Sequence, residues 1–319
     1  MKILIIRLSS LGDIVLCQSI CAWLRKQYPL AEIDFICKQQ FVELTSLMGC
    51  GLNPIVYQKT LISHLALRRR RYDLVIDLHN KFSSFLVRLA AAAKSSSVYN
   101  KQRSKRKAIV AGDSKLAISS TVELYKSALD KLYLNVQLEA PRLELPQQEL
   151  PFLLPQASKL VMLFPGAAHF TKMYPKDSYK QLLKISPSGF HYLLAGAPNE
   201  FELCNELQRS SPENSTNIAG LLSFSQILVA IKACDCVISS DSGPMHLAAA
   251  LEKPQIAIFG ATHPRLGFAP QNPHAHILCA NLDCQPCSLH GAESCPRGHF
   301  QCMLSINPQS LLNIMQSSC

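Results

Sequence analysis

The chain has 319 residues, which at roughly 100–200 residues per domain is length for two domains with cores of their own. Apolar residues are 48% and charged residues 17%, with 13 Gly and 19 Pro, which excludes a disordered, collagen-like or low-complexity chain. The formal charge of +10 is one-sided: residues 1–150 carry 22 Lys+Arg against 12 Asp+Glu, residues 151–319 carry 10 against 10, so the basic half suits a polyanionic partner.

No run approaches about 18 consecutive apolar residues, and the first, Ile3 to Ile6, is cut by Arg7, so neither a membrane span nor a signal peptide is expected. The thirteen cysteines are an odd number, and several (Cys17, Cys21, Cys37, Cys236) lie inside apolar runs. That usage fits a reducing cytoplasm.

In chain order, KILII (2–6), EIDFIC (32–37), PIVY (54–57) and DLVIDL (73–78) read as buried strands, being short, rich in Ile and Val, and bounded by turn residues. Residues 13–27 set Val15, Ile20, Trp23 and Leu24 near one helical face and stop before Pro29; 82–93 predicts a helix rich in Leu and Ala after Asn80. Residues 94–115, with five basic residues between Lys101 and Lys107, read as a mobile basic loop, and 116–132 as a helix. Pro146, Pro151 and Pro155 among polar residues mark a linker, with a domain boundary near 150. The second half restarts the rhythm with strands KLVMLF (159–164), HYLLAG (191–196), DCVISS (235–240) and PQIAIFG (254–260), and helices near 175–185, 199–209, 224–233 and 243–251. Alternating βα units predict parallel sheets covered on both faces, hence a two-lobed α/β protein with a cleft, its ligands outside the carboxyl ends of strands.

Three of those loops can carry chemistry. RLSSLGD (7–13) lacks G-x-G-x-x-G, which argues against a nicotinamide or flavin enzyme; Asp13 there is either an N-cap or a carboxylate able to take a proton from a substrate hydroxyl. FPGAAHFTK (164–172) offers a tight turn at Gly166, the small Ala167 and Ala168, and the positive Lys172, either an ordinary strand-to-helix turn or part of a phosphate site. SSDSGPMHLAAAL (239–251) is the strongest signal: Ser242 and Gly243 open a helix whose free N–H groups suit a diphosphate. Asp241 would repel phosphate and suits sugar hydroxyls, while His246 serves the loop backbone or a phosphate.

The opening KILIIRLSSLGDIVLCQSI, the FPGAAHFTKMYP turn and DSGPMHLAAALEKPQIAIFGATHP, in this order and at these separations, closely resemble glycosyltransferase family 9, the ADP-heptose:lipopolysaccharide heptosyltransferases. The resemblance implies the GT-B fold, two Rossmann-like parallel-sheet domains facing a central cleft, with residues 1–150 binding the acceptor and 151–319 the nucleotide-sugar donor. It implies inverting transfer from ADP-heptose to the lipopolysaccharide inner core (Kdo-lipid A or heptosyl-Kdo-lipid A), with no cofactor and no catalytic metal, at the cytoplasmic face of an anionic inner membrane. Carried over by position, Asp13 is the general base and Lys172 lies by the donor phosphates. Asp241, Ser242, Gly243 and His246 match the donor-site motif, with Gly166, Ala167 and Ala168 of the second loop beside them, while Glu200 of GAPNE (196–200) is either a ribose contact or a surface helix-start glutamate. Ser10 and Gly12 fall on the acceptor side, and His79, Lys81 and Arg88 are basic elements of that half, either acceptor contacts or a solvated face. Where some relatives have hydroxyl residues after the glycine of the second loop, this chain has Ala167 and Ala168, leaving phosphate contacts there to backbone N–H groups. Another nucleotide-sugar or acceptor, or a non-catalytic nucleotide-sugar or glycolipid binder, is the alternative reading.

Two further features remain. Cys284, Cys287, Cys295 and Cys302 have either the spacing of a structural zinc site or are reduced thiols packing a loop. The basic RRRR run (68–71) and the 101–107 cluster suit the carboxylates and phosphates of a glycolipid at an anionic surface. Nucleic acid is the disfavoured polyanion, since only Tyr99 supplies an aromatic near the basic loop and no RNA-binding motif occurs.

Overall fold

The computed structural model describes residues 1–133 and 135–318. By its contacts the chain divides into two units: residues 1–102 with 120–144, and residues 103–119 with 145–319.

The first unit is built on β1 (Lys2–Ile6), β2 (Glu32–Cys37), β3 (Asn53–Val56), β4 (Leu74–Asp77) and β5 (Ser95–Val98), all parallel in the order β3-β2-β1-β4-β5. Ile3 to Ile6 of β1 are fully buried because a central parallel strand is covered on both faces, which is why it reads as a continuous apolar run. The second unit holds β6 (Lys159–Phe164), β7 (Phe190–Leu194), β8 (Ser215–Asn217), β9 (Cys236–Ser240), β10 (Gln255–Phe259) and β11 (Ala275–Cys279), again all parallel, in the order β11-β10-β9-β6-β7-β8. Its core joins Val161, Leu163, Tyr179, Leu194 and Ile238 to Met303, Leu311 and Met315 of the C-terminal segment.

Both orders reverse direction once, between β1 and β4 in the first unit and between β6 and β9 in the second. At such a switch point the adjacent loops diverge and leave a crevice outside the strand ends. The loops after β1 and β4 carry Arg7–Asp13 and Leu78–Lys81; those after β6 and β9 carry Pro165–Lys172 and Asp241–Gly243. The loops that the sequence marks for chemistry are those that the topology places at the two crevices.

The expected mobile loop at 94–115 is instead β5 followed by a helix, Arg103–Val110, with Arg106 and Ile109 buried. Arg106 donates to the Leu266 carbonyl and its guanidinium lies 4.8 Å from the Phe268 ring centroid, contacts that anchor the basic helix in the second unit. The helix expected over 13–27 is two, Leu11–Leu16 and Gln18–Gln27.

Candidate functional site

In the first unit the site grows from the turn after β1. Ser10 is the N-cap of the Leu11–Leu16 helix and Asp13 its third residue. Asp13 is therefore the reciprocal partner of a capping box rather than the cap itself: its Oδ2 accepts from Ser10 N at 3.2 Å and from Ser10 Oγ at 2.8 Å. Oδ1 accepts from Tyr125 Oη at 3.1 Å, and Arg7 Nη2 pairs with Oδ2. Arg7 is itself fixed, donating from Nε to the Ser9 carbonyl at 2.7 Å and from Nη1 to the Leu78 carbonyl. Burial alone would raise the Asp13 carboxyl, but the Arg7 guanidinium and the bonds from Ser10 and Tyr125 hold it well below the usual carboxylate range. Even so, 25% of the Asp13 side chain stays open. The result is an anion, immobilised by donors on several sides and reachable on one.

The other residues expected on the acceptor side divide. Ser10 and Lys81 are exposed, Gly12 is buried and Arg88 half-buried. His79, read as part of the basic surface, is buried. Burial, with Arg7, Lys81 and Lys101 nearby, lowers its pKa to about 3, so its ring is neutral at pH 7 and cannot supply positive charge to an anionic acceptor. It sits two residues after Asp77, whose Oδ1 accepts from the His79 and Asn80 N–H groups.

In the second unit, Lys172 and Asp241 meet. Lys172 Nζ lies 3.0 Å from Asp241 Oδ2, which also accepts from Thr262 Oγ1 at 2.7 Å. Asp241 is buried, so one of its two oxygens is already committed to protein partners before any sugar hydroxyl arrives. An ammonium has three N–H donors, and the pairing leaves Lys172 aimed while still able to donate to a phosphate. The Gly243–Ala250 helix starts beside this pair, and no side chain caps it: Ser242 Oγ turns back to the Ser240 carbonyl at 3.2 Å. Its first-turn N–H groups thus keep the character of an anion site. His246, on the same helix, is buried.

Glu200 occupies a niche that two glycines make. A Cβ on Gly166 would stand 1.8 Å from Glu200 Oε1, and one on Gly196 2.7 Å from Oε2; Ala197 N donates to Oε2 at 2.7 Å. Ala167 is half-buried and Ala168 exposed in the same loop. A methyl group on Gly166 would push aside a flexible carboxylate rather than backbone, so Gly166→Ala should fold normally and displace Glu200. The Gly166→Ala and Glu200→Gln substitutions should each raise the donor KM, and the double variant should be little worse than either, because both remove one carboxylate from one place. Additive effects in steady-state kinetics would contradict the shared niche.

The cysteine-rich segment supports this site from behind. Among the described residues no three His, Cys, Asp or Glu side chains stand where they could share a metal ion. Cys284 Sγ lies 3.9 Å from His299 Nε2, and the twelve described cysteines are free thiols. The segment braces the Lys172 turn through Thr171, whose N donates to the Ala292 carbonyl at 3.1 Å and whose Oγ1 accepts from Ala292 N at 2.7 Å. Gly291, with φ +96°, packs so closely that a Cβ would come within 2.9 Å of Lys172 Cγ. Sequence reasoning missed Arg7, Tyr125, Thr262 and this brace. Arg7 adjoins the motif and had a local signal, whereas Tyr125 is 112 positions from Asp13 and had none.

The family model described as glycosyltransferase family 9 (heptosyltransferase) matches residues 63–294. A lipopolysaccharide heptosyltransferase 2 of Salmonella typhimurium is 27% identical, over 99% of this chain and 98% of its own. Among solved structures, E. coli ADP-heptose lps heptosyltransferase II superposes with a TM-score of 0.77 at 25% identity, covering 99% of this chain and 98% of that one. E. coli heptosyltransferase WaaC, solved with ADP-2-deoxy-2-fluoro heptose, shares the fold at a TM-score of 0.68 and 18% identity over the whole of both chains.

Proposed function

The chain belongs to glycosyltransferase family 9, and from that premise we propose that it transfers heptose from ADP-heptose to a hydroxyl of the lipopolysaccharide inner core, with inversion. The chain-long similarity to a heptosyltransferase 2 and to E. coli ADP-heptose lps heptosyltransferase II supports the substrate class.

The observation that carries the mechanism is the Asp13 carboxylate, ionised, held by Arg7, Ser10 and Tyr125, and open on one side. In this mechanism Asp13 faces the acceptor hydroxyl. A carboxylate with so low an affinity for protons is a poor base towards a resting alcohol, so proton transfer is late. As the bond to the diphosphate breaks, the anomeric carbon becomes cationic, the hydroxyl adds to it, and the oxygen turns acidic enough for Asp13 to take its proton. A single displacement on one face inverts the centre. Charge develops on the departing ADP at the same moment, where Lys172 and the first-turn N–H groups of the Gly243–Ala250 helix stabilise it. The preset Lys172–Asp241 pair needs little rearrangement for this.

Lys172→Ala should raise the donor KM and lower kcat, together costing about 10²–10³ in kcat/KM, the scale of losing one preorganised donor to a developing anion. Unchanged donor kinetics would remove Lys172 from the site. Screening ADP-, UDP- and GDP-sugars for transfer and for slow hydrolysis tests the donor: the proposal expects ADP-heptose to lead. Binding without transfer or hydrolysis would point to a non-catalytic nucleotide-sugar binder. The acceptor is a glycolipid, which the enzyme would reach as a peripheral protein at an anionic bilayer; no helix among the described residues is long and apolar enough to cross a membrane.

A further inference from the structure

Two helices of the first unit wear their apolar side chains on the wrong side. The Phe82–Ala91 helix buries Ser84, Val87 and Ala91, whereas Phe82, Phe85 and Leu89, spaced i, i+3, i+7, form an exposed stripe. The neighbouring Leu61–Arg69 helix buries only Leu67 and exposes Leu61, Ile62 and Leu65. Exposure reaches 80% at Ile62 and 76% at Phe82, and the Phe82 and Phe85 rings stack with centroids 6.4 Å apart. Single exposed apolar residues are ordinary. Six on two helices in contact with each other are of the kind that marks an interaction surface.

The surrounding charge says what the surface meets. Residues 59–94 contain eight Lys and Arg but only two Asp; Asp77 is buried and Asp73 is paired with Lys94. Arg68, Arg69 and Arg71 are exposed, while the Arg88 guanidinium lies 5.4 Å from the Phe85 ring centroid. A second copy of this face would set arginine against arginine, which disfavours self-association. An anionic bilayer satisfies both halves of the pattern, since acyl chains accept Ile and Phe while headgroup phosphates accept guanidinium groups.

We infer that the outward faces of the Leu61–Arg69 and Phe82–Ala91 helices dock the first unit on an anionic lipid bilayer, with Ile62 and Phe82 entering the acyl boundary and Arg68 and Arg69 on the phosphates. This inference deepens the proposed glycolipid reading, yet docking itself requires neither donor nor acceptor. The test is co-sedimentation of the full chain with vesicles of phosphatidylcholine alone, or of phosphatidylcholine with about 30% phosphatidylglycerol, an anionic surface, both free of lipopolysaccharide.

The chain should bind the anionic vesicles and not the neutral ones, with binding weakened by salt. Ile62→Ser with Phe82→Ser should cut partitioning about tenfold or more, the apolar share of the contact. Arg68→Gln with Arg69→Gln should do so too and flatten the salt dependence. The Ile62/Phe82 variant alters exposed apolar positions, so it should keep wild-type melting and wild-type transfer to a delipidated inner-core oligosaccharide; the Arg68/Arg69 variant should keep wild-type melting. A wild-type chain that leaves anionic vesicles unbound, or equal partitioning of the wild type and the Ile62/Phe82 variant, overturns the inference. So does a wild-type dimer in analytical ultracentrifugation that the Ile62/Phe82 variant breaks, which would make this surface an interface between copies. Vesicle binding by a chain that transfers no heptose would sink the enzymatic reading and leave this one standing.

Discussion

Asp13→Asn is expected to lower kcat by about 10²–10⁴-fold, the usual worth of a positioned general base, while leaving the donor KM close to wild type. The amide keeps the shape of the carboxylate and can still accept from Ser10 Oγ or Tyr125 Oη, which lie 2.8 and 3.1 Å away, so the turn after β1 should survive. What is lost is the anion. The split between kcat and KM is the informative part, because Asp13 belongs to the first unit and Lys172 with the Gly243 helix start to the second. An equal loss in donor binding would mean that Asp13 shapes the donor site. Near-normal turnover with a defined acceptor would end its assignment as base.

Arg7→Met should give the second large effect, visible in the pH profile. Arg7 is the charge that holds the Asp13 carboxyl down against its burial. With the guanidinium gone, burial is opposed only by the bonds from Ser10 and Tyr125, so the carboxyl should titrate higher than in the wild type. Activity needs the ionised form. The acid limb of kcat/KM, lying below the normal carboxylate range in the wild type, should therefore move up by at least about one pH unit. Stability should follow the same sign. A depressed folded pKa means that the pair stabilises the fold above the unfolded carboxylate value, and that this contribution fades as pH falls towards the folded value. The variant should thus melt lower at neutral pH and lose less on acidification. Its cost should be below the about 3–5 kcal/mol of breaking a fully buried pair, because Asp13 keeps 25% of its side chain open. An acid limb that does not move would show that Arg7 positions the turn without tuning the base.

Much of the fold was legible because buried parallel strands are apolar throughout. KILII, EIDFIC and KLVMLF coincide with β1, β2 and β6 to the residue. The three missed strands are all sheet edges: Ser95–Val98 is SSSV, Ser215–Asn217 is STN and Ala275–Cys279 is AHILC, the first two held by backbone pairing to a neighbour rather than by their own apolarity. The basic stretch misread as a loop is a helix because Ile109 and Arg106 find burial in the second unit, a tertiary fact that composition cannot carry. At the site, positions were legible where a strand runs into a turn, as at Asp13, Gly166 and Gly243. Partnerships were not. Nothing local announces that Lys172 will pair with Asp241, that Tyr125 will bond Asp13, or that burial will strip His79 of its charge.

Heptose transfer is tested most directly by mass spectrometry of truncated lipopolysaccharides after incubation with the purified chain and ADP-heptose, with the anomeric configuration of the product read by NMR. One added heptosyl residue is expected on one acceptor of the series, with the anomeric configuration inverted, and this product should be lost with Asp13→Asn. No added heptose on any acceptor, or a product retained in configuration, would contradict it.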